Sequence, residues 1–145
     1  MTRIKHFAAA LALAVLAIAG TQAALITPAA AAGSCWGSDC NHYDPNTLGC
    51  GSDAYTLEKI TENLVTIELR YSPSCYAAWT RFEVHSDFAF PTTVFLRGSS
   101  TTEYRNLPIY EGAKGWTAMV SFQQAVKSCM QWYNGGYYEI CTPTH

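Results

Sequence analysis

After Leu64, apolar and polar side chains alternate without a break to residue 71. Val65, Ile67, Leu69 and Tyr71 fall on one side; Thr66, Glu68 and Arg70 fall on the other. A period of two sends successive side chains to opposite faces, so this stretch predicts a strand with one buried face. Residues 56–60 predict the strand before it, with a turn at Glu62-Asn63. Ser72-Pro73-Ser74 closes the strand, and 75–84 resumes an extended pattern rich in Tyr, Trp, Thr, Phe and Val. Residues 92–97, 103–110 and 116–122 predict further short strands, with Gly98-Ser99-Ser100 as punctuation between the first two. Short strands at intervals of about 8–12 residues, separated by turn chemistry, predict an all-β barrel or sandwich.

The segment 122–133 supports two readings. Phe122, Ala125, Val126, Cys129, Met130 and Tyr133 recur at helical spacing, Ser121 and Gln124 resemble a capping box, and Gly135 could end the helix. Against this, Asn134-Gly135-Gly136 is turn chemistry between two aromatic runs. A three-residue loop there sets Tyr133 opposite Tyr137 and, counting back, Cys129 opposite Cys141. A bridge between those two would stabilise by about 3 kcal/mol. The hairpin is the preferred reading. The fold class is therefore mainly β, with one C-terminal helix as the alternative.

Residues 33–53 show no alternation. They hold three cysteines, four glycines and Pro45, and Asp44-Pro45-Asn46 is turn chemistry. Covalent bridges are the expected means of holding this cap to the rest. Residues 1–32 have a different character. Arg3 and Lys5 precede an apolar run over 7–19, and small residues follow at 29–32. This is the pattern of an export signal cut after Ala32, with Ala23 as the other candidate. The apolar run is about 13 residues, short of the ~20 needed to cross a bilayer. Cys35 lies too far past that run, behind Pro28, for lipid attachment to be expected. The expected organisation is a signal peptide over 1–32 and one secreted domain over 33–145, with no membrane association after cleavage.

All six cysteines, Cys35, Cys40, Cys50, Cys75, Cys129 and Cys141, fall in the exported part. An even count outside the cytosol predicts three disulfides, and six cysteines allow 15 pairings. Loss of Arg3 and Lys5 takes the formal net charge from −2 to −4. No basic cluster is present, so nucleic-acid binding lacks its electrostatic footprint. A domain of roughly 110 residues buries about 60–70% of its unfolded surface, and bridges of about 2–4 kcal/mol each supplement such a core.

Three stretches carry a family likeness. They are Cys35-x-Gly37-x-x-Cys40 with Asp44-Pro45 and Cys50; Glu68-Leu69-Arg70-Tyr71-Ser72-Pro73 with Cys75 and Trp79; and 116–120. Together they resemble the YjfA-like proteins, small exported bacterial domains of unknown function, over roughly residues 35–120. The resemblance implies a compact extracellular domain and transfers no activity, cofactor or catalytic residue. Some relatives carry the domain behind a helix-turn-helix segment; none is present here, so DNA regulation is not implied.

Candidates for chemistry are few. His42, His85 and His145 are the histidines beyond the signal, and no spacing sets one beside a nucleophile and an acid. No nucleophile-elbow motif occurs. Cys35 and Cys40 have the spacing of one zinc-ligand pair with His42 near, but no second tight pair follows, so disulfides are expected instead. Asp39, Asp44, Asn46 and Asp53 offer oxygen ligands, yet Leu48 breaks the calcium-loop pattern and the closing Glu is missing. Glu62 and Glu68 share a face by parity, with Glu83 on a neighbouring strand, which raises and does not establish a carboxylate pair. Glu68 and Arg70 are expected to form a surface ion pair. No catalytic residue, metal or cofactor is assigned.

Aromatic residues are the better lead. Trp36, Trp79 and Trp116 are expected to pack. Trp132, Tyr133, Tyr137 and Tyr138 cluster at the hairpin turn, with Trp132 and Tyr138 directly opposed and presenting one aromatic face. Rings with polar tips suit sugar or protein surfaces. The expected function is a non-catalytic secreted binding module. Its expected partner is cell-wall glycan or another extracellular protein, engaged at these four residues and at the cap near 36–46. A protease inhibitor and a small hydrolase are the alternatives.

Overall fold

A computed structural model describes residues 33–87, 90, 92–108 and 110–145; the expected signal over 1–32 lies outside them. The described chain is two antiparallel sheets, with 3-10 turns and no α-helix among the described residues. No helix there is long and apolar enough to cross a membrane. The first sheet runs in the order β1 (Tyr55–Glu62), β2 (Val65–Ser72), β3 (Ala77–Val84), β6 (Lys114–Trp116), and β7 (Val120–Ser121) also pairs β3. The second runs β5 (Thr102–Asn106), β4 (Thr92–Gly98), β8 (Val126–Tyr133), β9 (Tyr137–Cys141). The expected mainly β, sandwich-like class holds.

Local chemistry accounts for the hairpins. Asn63 and Leu64 both take positive φ, 47° and 65°, and Glu62 pairs Val65 across them. Two left-handed residues match the twist of the strands they join. At the other hairpin Gly135 has φ 68°, and the Asn134 amide donates to the Gly136 carbonyl at 3.0 Å. Cys129 then sits opposite Cys141 and Tyr133 opposite Tyr137. The segment 126–133 is thus a strand, and the helical spacing within it has no structural counterpart.

The two sheets close over shared apolar residues. Val65, Ile67, Phe82 and Val84 of the first meet Val94 and Met130 of the second; Leu69, Ala78 and Val120 meet Leu96 and Val126. Between them the buried Thr80 hydroxyl bridges the Phe95 carbonyl (3.0 Å) and the Ser128 hydroxyl (2.8 Å), so these polar groups are satisfied. The expected strand over 116–122 is two short pieces. Thr117 interrupts it: its hydroxyl accepts from the Thr80 amide at 3.1 Å while its amide donates to the Thr80 carbonyl.

The cap, residues 33–53, covers the outward side of the first sheet around Ala77 and Trp79. Cys40, Cys50 and Cys75 pack with Ala77, Trp79 and Met119, and the bridges are Cys35–Cys40, Cys50–Cys75 and Cys129–Cys141. Hydrogen bonds tie it down further. Asp44 accepts from the Asn46 and Thr47 amides and from Trp116 Nε1 at 2.7 Å. Asp53 accepts from the Ser72 hydroxyl (2.6 Å) and the Ser74 amide (2.7 Å).

Candidate functional site

Strand parity shows which surface remains free. In the second sheet Thr92, Val94 and Leu96 face inward, so Thr93, Phe95 and Arg97 face away from the core. The registers carry that outward face across four strands. Asn106, Thr93, Gln131 and Glu139 form one polar rung; Tyr104, Phe95, Cys129 and Cys141 form the next; Tyr133 and Tyr137 form the rung at the hairpin tip. The first sheet's equivalent surface carries the ion pairs Glu68–Arg81 and Glu83–Lys114, and around Ala77 and Trp79 it is occupied by the cap. The second sheet's is not.

Part of this face is sealed. Phe95 is fully buried although it points outward. Tyr104 leans over it with ring centroids 5.2 Å apart, and the Arg97 guanidinium lies 4.8 Å above its centre. Arg97 is held there by two bonds to the Glu139 carboxylate, at 2.7 and 2.9 Å. The hydrogen bond from Arg97 also holds the Glu139 carboxyl below its ordinary pKa, so it is ionised at neutral pH.

Beyond that seal the face opens into a cleft of about 330 Å³, lined by Thr93, Gln131, Trp132, Tyr133 and Tyr137. Tyr133 is 50% exposed and Tyr137 87%, and their rings meet edge to face with centroids 5.2 Å apart. Gln131 brings an amide that can donate and accept. Thr93 spends its hydroxyl proton on Asn106 Oδ1 at 3.0 Å, which leaves its oxygen free to accept. The site is an apolar shelf beside a polar rung.

The four aromatic residues singled out in the sequence do not share one face. Trp132 and Tyr138 are opposed and stacked, with centroids 5.6 Å apart, but Trp132 packs on the core and Tyr138 lies over it. The shelf is formed by Tyr133 and Tyr137 instead, because the hairpin's rungs alternate and the Trp132 rung belongs to the inward side. Thr93 and Gln131 had no sequence signal: strand pairing 38 residues apart brings them together.

Other candidates resolve differently. Trp36, expected to pack, is 55% exposed and stacks on Tyr76 at 5.1 Å. Tyr76 belongs with Tyr55, Tyr71 and Phe122 to a ring cluster. Trp79 is buried and Trp116 half-buried, as packing residues. Glu62 pairs Val65 and Glu68 pairs Lys59, so the two acids lie on opposite faces. The turn at Asn63-Leu64 reverses the parity that had joined them. Glu68 accepts from Arg81 Nε (2.9 Å) across β2–β3, not from Arg70, whose guanidinium donates to Thr56 and the Ala54 carbonyl.

His42 meets Glu103, His145 meets Glu58 at 3.0 Å, and His85 meets Thr66 at 2.7 Å. None of these pairings makes a nucleophile, base and acid in series. Asp39, Asp44 and Asp53 do not gather into a common ligand set among the described residues. Burial pushes the Asp44 and Asp53 carboxyls up, but the donors bonded to each outweigh it and hold both below the ordinary value.

The family model described as protein of unknown function (DUF2690) matches residues 38–129, and the chain belongs to that family. The chain matches no curated protein and no solved structure. The matched span includes Thr93 and stops at Cys129, so the hairpin tip with Gln131, Tyr133 and Tyr137 lies past it.

Proposed function

We propose that this member of the DUF2690 family is a secreted, non-catalytic module that binds uncharged glycan along the outward face of its second sheet. The observation that carries the reading is the cleft in which Tyr133 and Tyr137 stand beside Gln131 and Thr93. A pyranose ring offers C–H groups on its faces and hydroxyls around its edge. It is suited by a flat apolar surface flanked by groups that donate and accept in the ring's plane. Neither half suffices alone, and this face supplies both.

Charge narrows the ligand. Without residues 1–32 the chain has a formal charge of −4, and none of the residues that line the cleft is charged. Like charge disfavours anionic polymers, so the ligand class is the neutral saccharide backbone of a wall polymer. The three bridges fit life outside the reducing cytosol, as do the export pattern over 1–32 and the resemblance to the exported YjfA-like proteins.

Sedimentation with purified peptidoglycan tests the reading. Stacking that buries about 60 Å² of ring is worth about 1.5 kcal/mol, or about tenfold in affinity. Tyr133→Ala/Tyr137→Ala is expected to lose at least that factor while its thermal transition stays near that of the parent. Undiminished sedimentation of a folded double variant would rule the face out.

A further inference from the structure

The cap brings together four sulfurs that the sequence kept apart. Cys35 and Cys40 lie in one loop; Cys50 and Cys75 come from opposite ends of a 25-residue separation. All four Sγ atoms nevertheless lie within 4.8 Å of one another. Cys35 Sγ and Cys50 Sγ, which are not bonded to each other, are 3.8 Å apart. Zinc–thiolate bonds of about 2.3 Å in a tetrahedron place the sulfurs about 3.8 Å apart. The missing second ligand pair, which argued against zinc along the sequence, is supplied by the fold.

The surroundings suit a closed structural site. Cys40, Cys50 and Cys75 are fully buried, and Cys35 alone is partly open, which gives an entry side. The Ser74 hydroxyl points at Cys75 Sγ from 3.9 Å, a donor of the kind that orients and tempers a thiolate ligand. Gly33 lies hard against the cluster: a Cβ there would stand 1.9 Å from Cys75 Sγ. A signal cut before Gly33 leaves an α-ammonium beside it, which offsets negative charge.

We propose that these four cysteines form a redox-gated zinc site: bridged when oxidised, and a tetrathiolate holding one Zn(II) when reduced. Each bridge takes two electrons and two protons from a dithiol reductant, which closes as its own disulfide. The four resulting thiols release four protons as they bind Zn(II), and the complex carries a charge of −2. Zinc then does the work of the two bridges and holds the cap on the first sheet when the sulfurs are reduced. The bridge Cys129–Cys141 lies on the other sheet and takes no part.

Cobalt(II) titration of the full chain, reduced by a phosphine under nitrogen, tests this. The expected result is the visible spectrum of tetrahedral tetrathiolate cobalt, saturating at one ion per chain and bleached by one equivalent of Zn(II). Cys50→Ser/Cys75→Ser should weaken binding at least tenfold, and Cys129→Ser/Cys141→Ser should leave it unchanged. Amide spectra of the reduced chain, with and without zinc, report whether the cap is ordered by the metal. Absence of the tetrathiolate spectrum, its survival in Cys50→Ser/Cys75→Ser, or a reduced chain whose cap zinc fails to order would each overturn the proposal.

Discussion

Removing the bridges one at a time should reveal a ranked set of stability losses. In the chain-entropy account a cross-link stabilises by restricting the unfolded chain, and its effect grows with the logarithm of the loop it closes. Cys50–Cys75 closes a separation of 25 residues, Cys129–Cys141 one of 12 and Cys35–Cys40 one of 5. The corresponding losses are about 3.5, 3 and 2 kcal/mol. For a domain of this size 1 kcal/mol moves the thermal midpoint by about 4 °C, so the shifts are about 14, 12 and 8 °C. Packing sharpens the contrast. Cys50 and Cys75 are fully buried in the cluster that seats the cap, so Cys50→Ala/Cys75→Ala also leaves a void. Thermal unfolding of the three double-alanine variants, followed by far-ultraviolet circular dichroism, gives the order directly. An inverted order, with Cys35→Ala/Cys40→Ala the most damaging, would refute the reasoning.

Further outcomes follow from individual residues. Asp44 and Asp53 have folded pKa values below the unfolded ones. Between the two the unfolded state binds more protons, so their contribution is complete above about pH 4 and is lost as pH falls through the folded values. Acid titration read by tryptophan fluorescence should show this slope, and Asp44→Asn should flatten it. Leu64 is exposed at φ 65°, so Leu64→Gly should stabilise by about 0.5–1 kcal/mol in urea unfolding; a loss would mean the Leu64 side chain matters more than its backbone strain. A Cβ on Gly115 would stand 2.7 Å from Phe82 Cζ, so Gly115→Ala should destabilise by about 1–3 kcal/mol in the same assay. A neutral result would show that the ring moves freely.

Much of the fold was legible because strand periodicity and turn chemistry are local. The alternation at 65–71 and the Asn134-Gly135-Gly136 turn together yield β2, the last hairpin and the opposition of Cys129 and Cys141. What escaped depends on tertiary context. Parity says that side chains alternate but not which rung faces the core, so it pairs Trp132 with Tyr138 and Tyr133 with Tyr137 without telling which pair stands beside the outward polar rung. Phe95 is buried on the outward face only because Tyr104, Arg97 and Glu139 cover it. Thr93 and Gln131 became site residues through a pairing that no spacing announces, and the four-sulfur cluster exists only once Cys50 and Cys75 meet.

The glycan-binding claim is tested most directly by a nitrogen-15 amide titration with soluble, uncharged N-acetylglucosamine oligosaccharides. The predicted result is a saturable set of shifts at Thr93, Gln131, Tyr133 and Tyr137, with the cap unchanged. Shifts confined to the cap, or none at saturating saccharide, would contradict it.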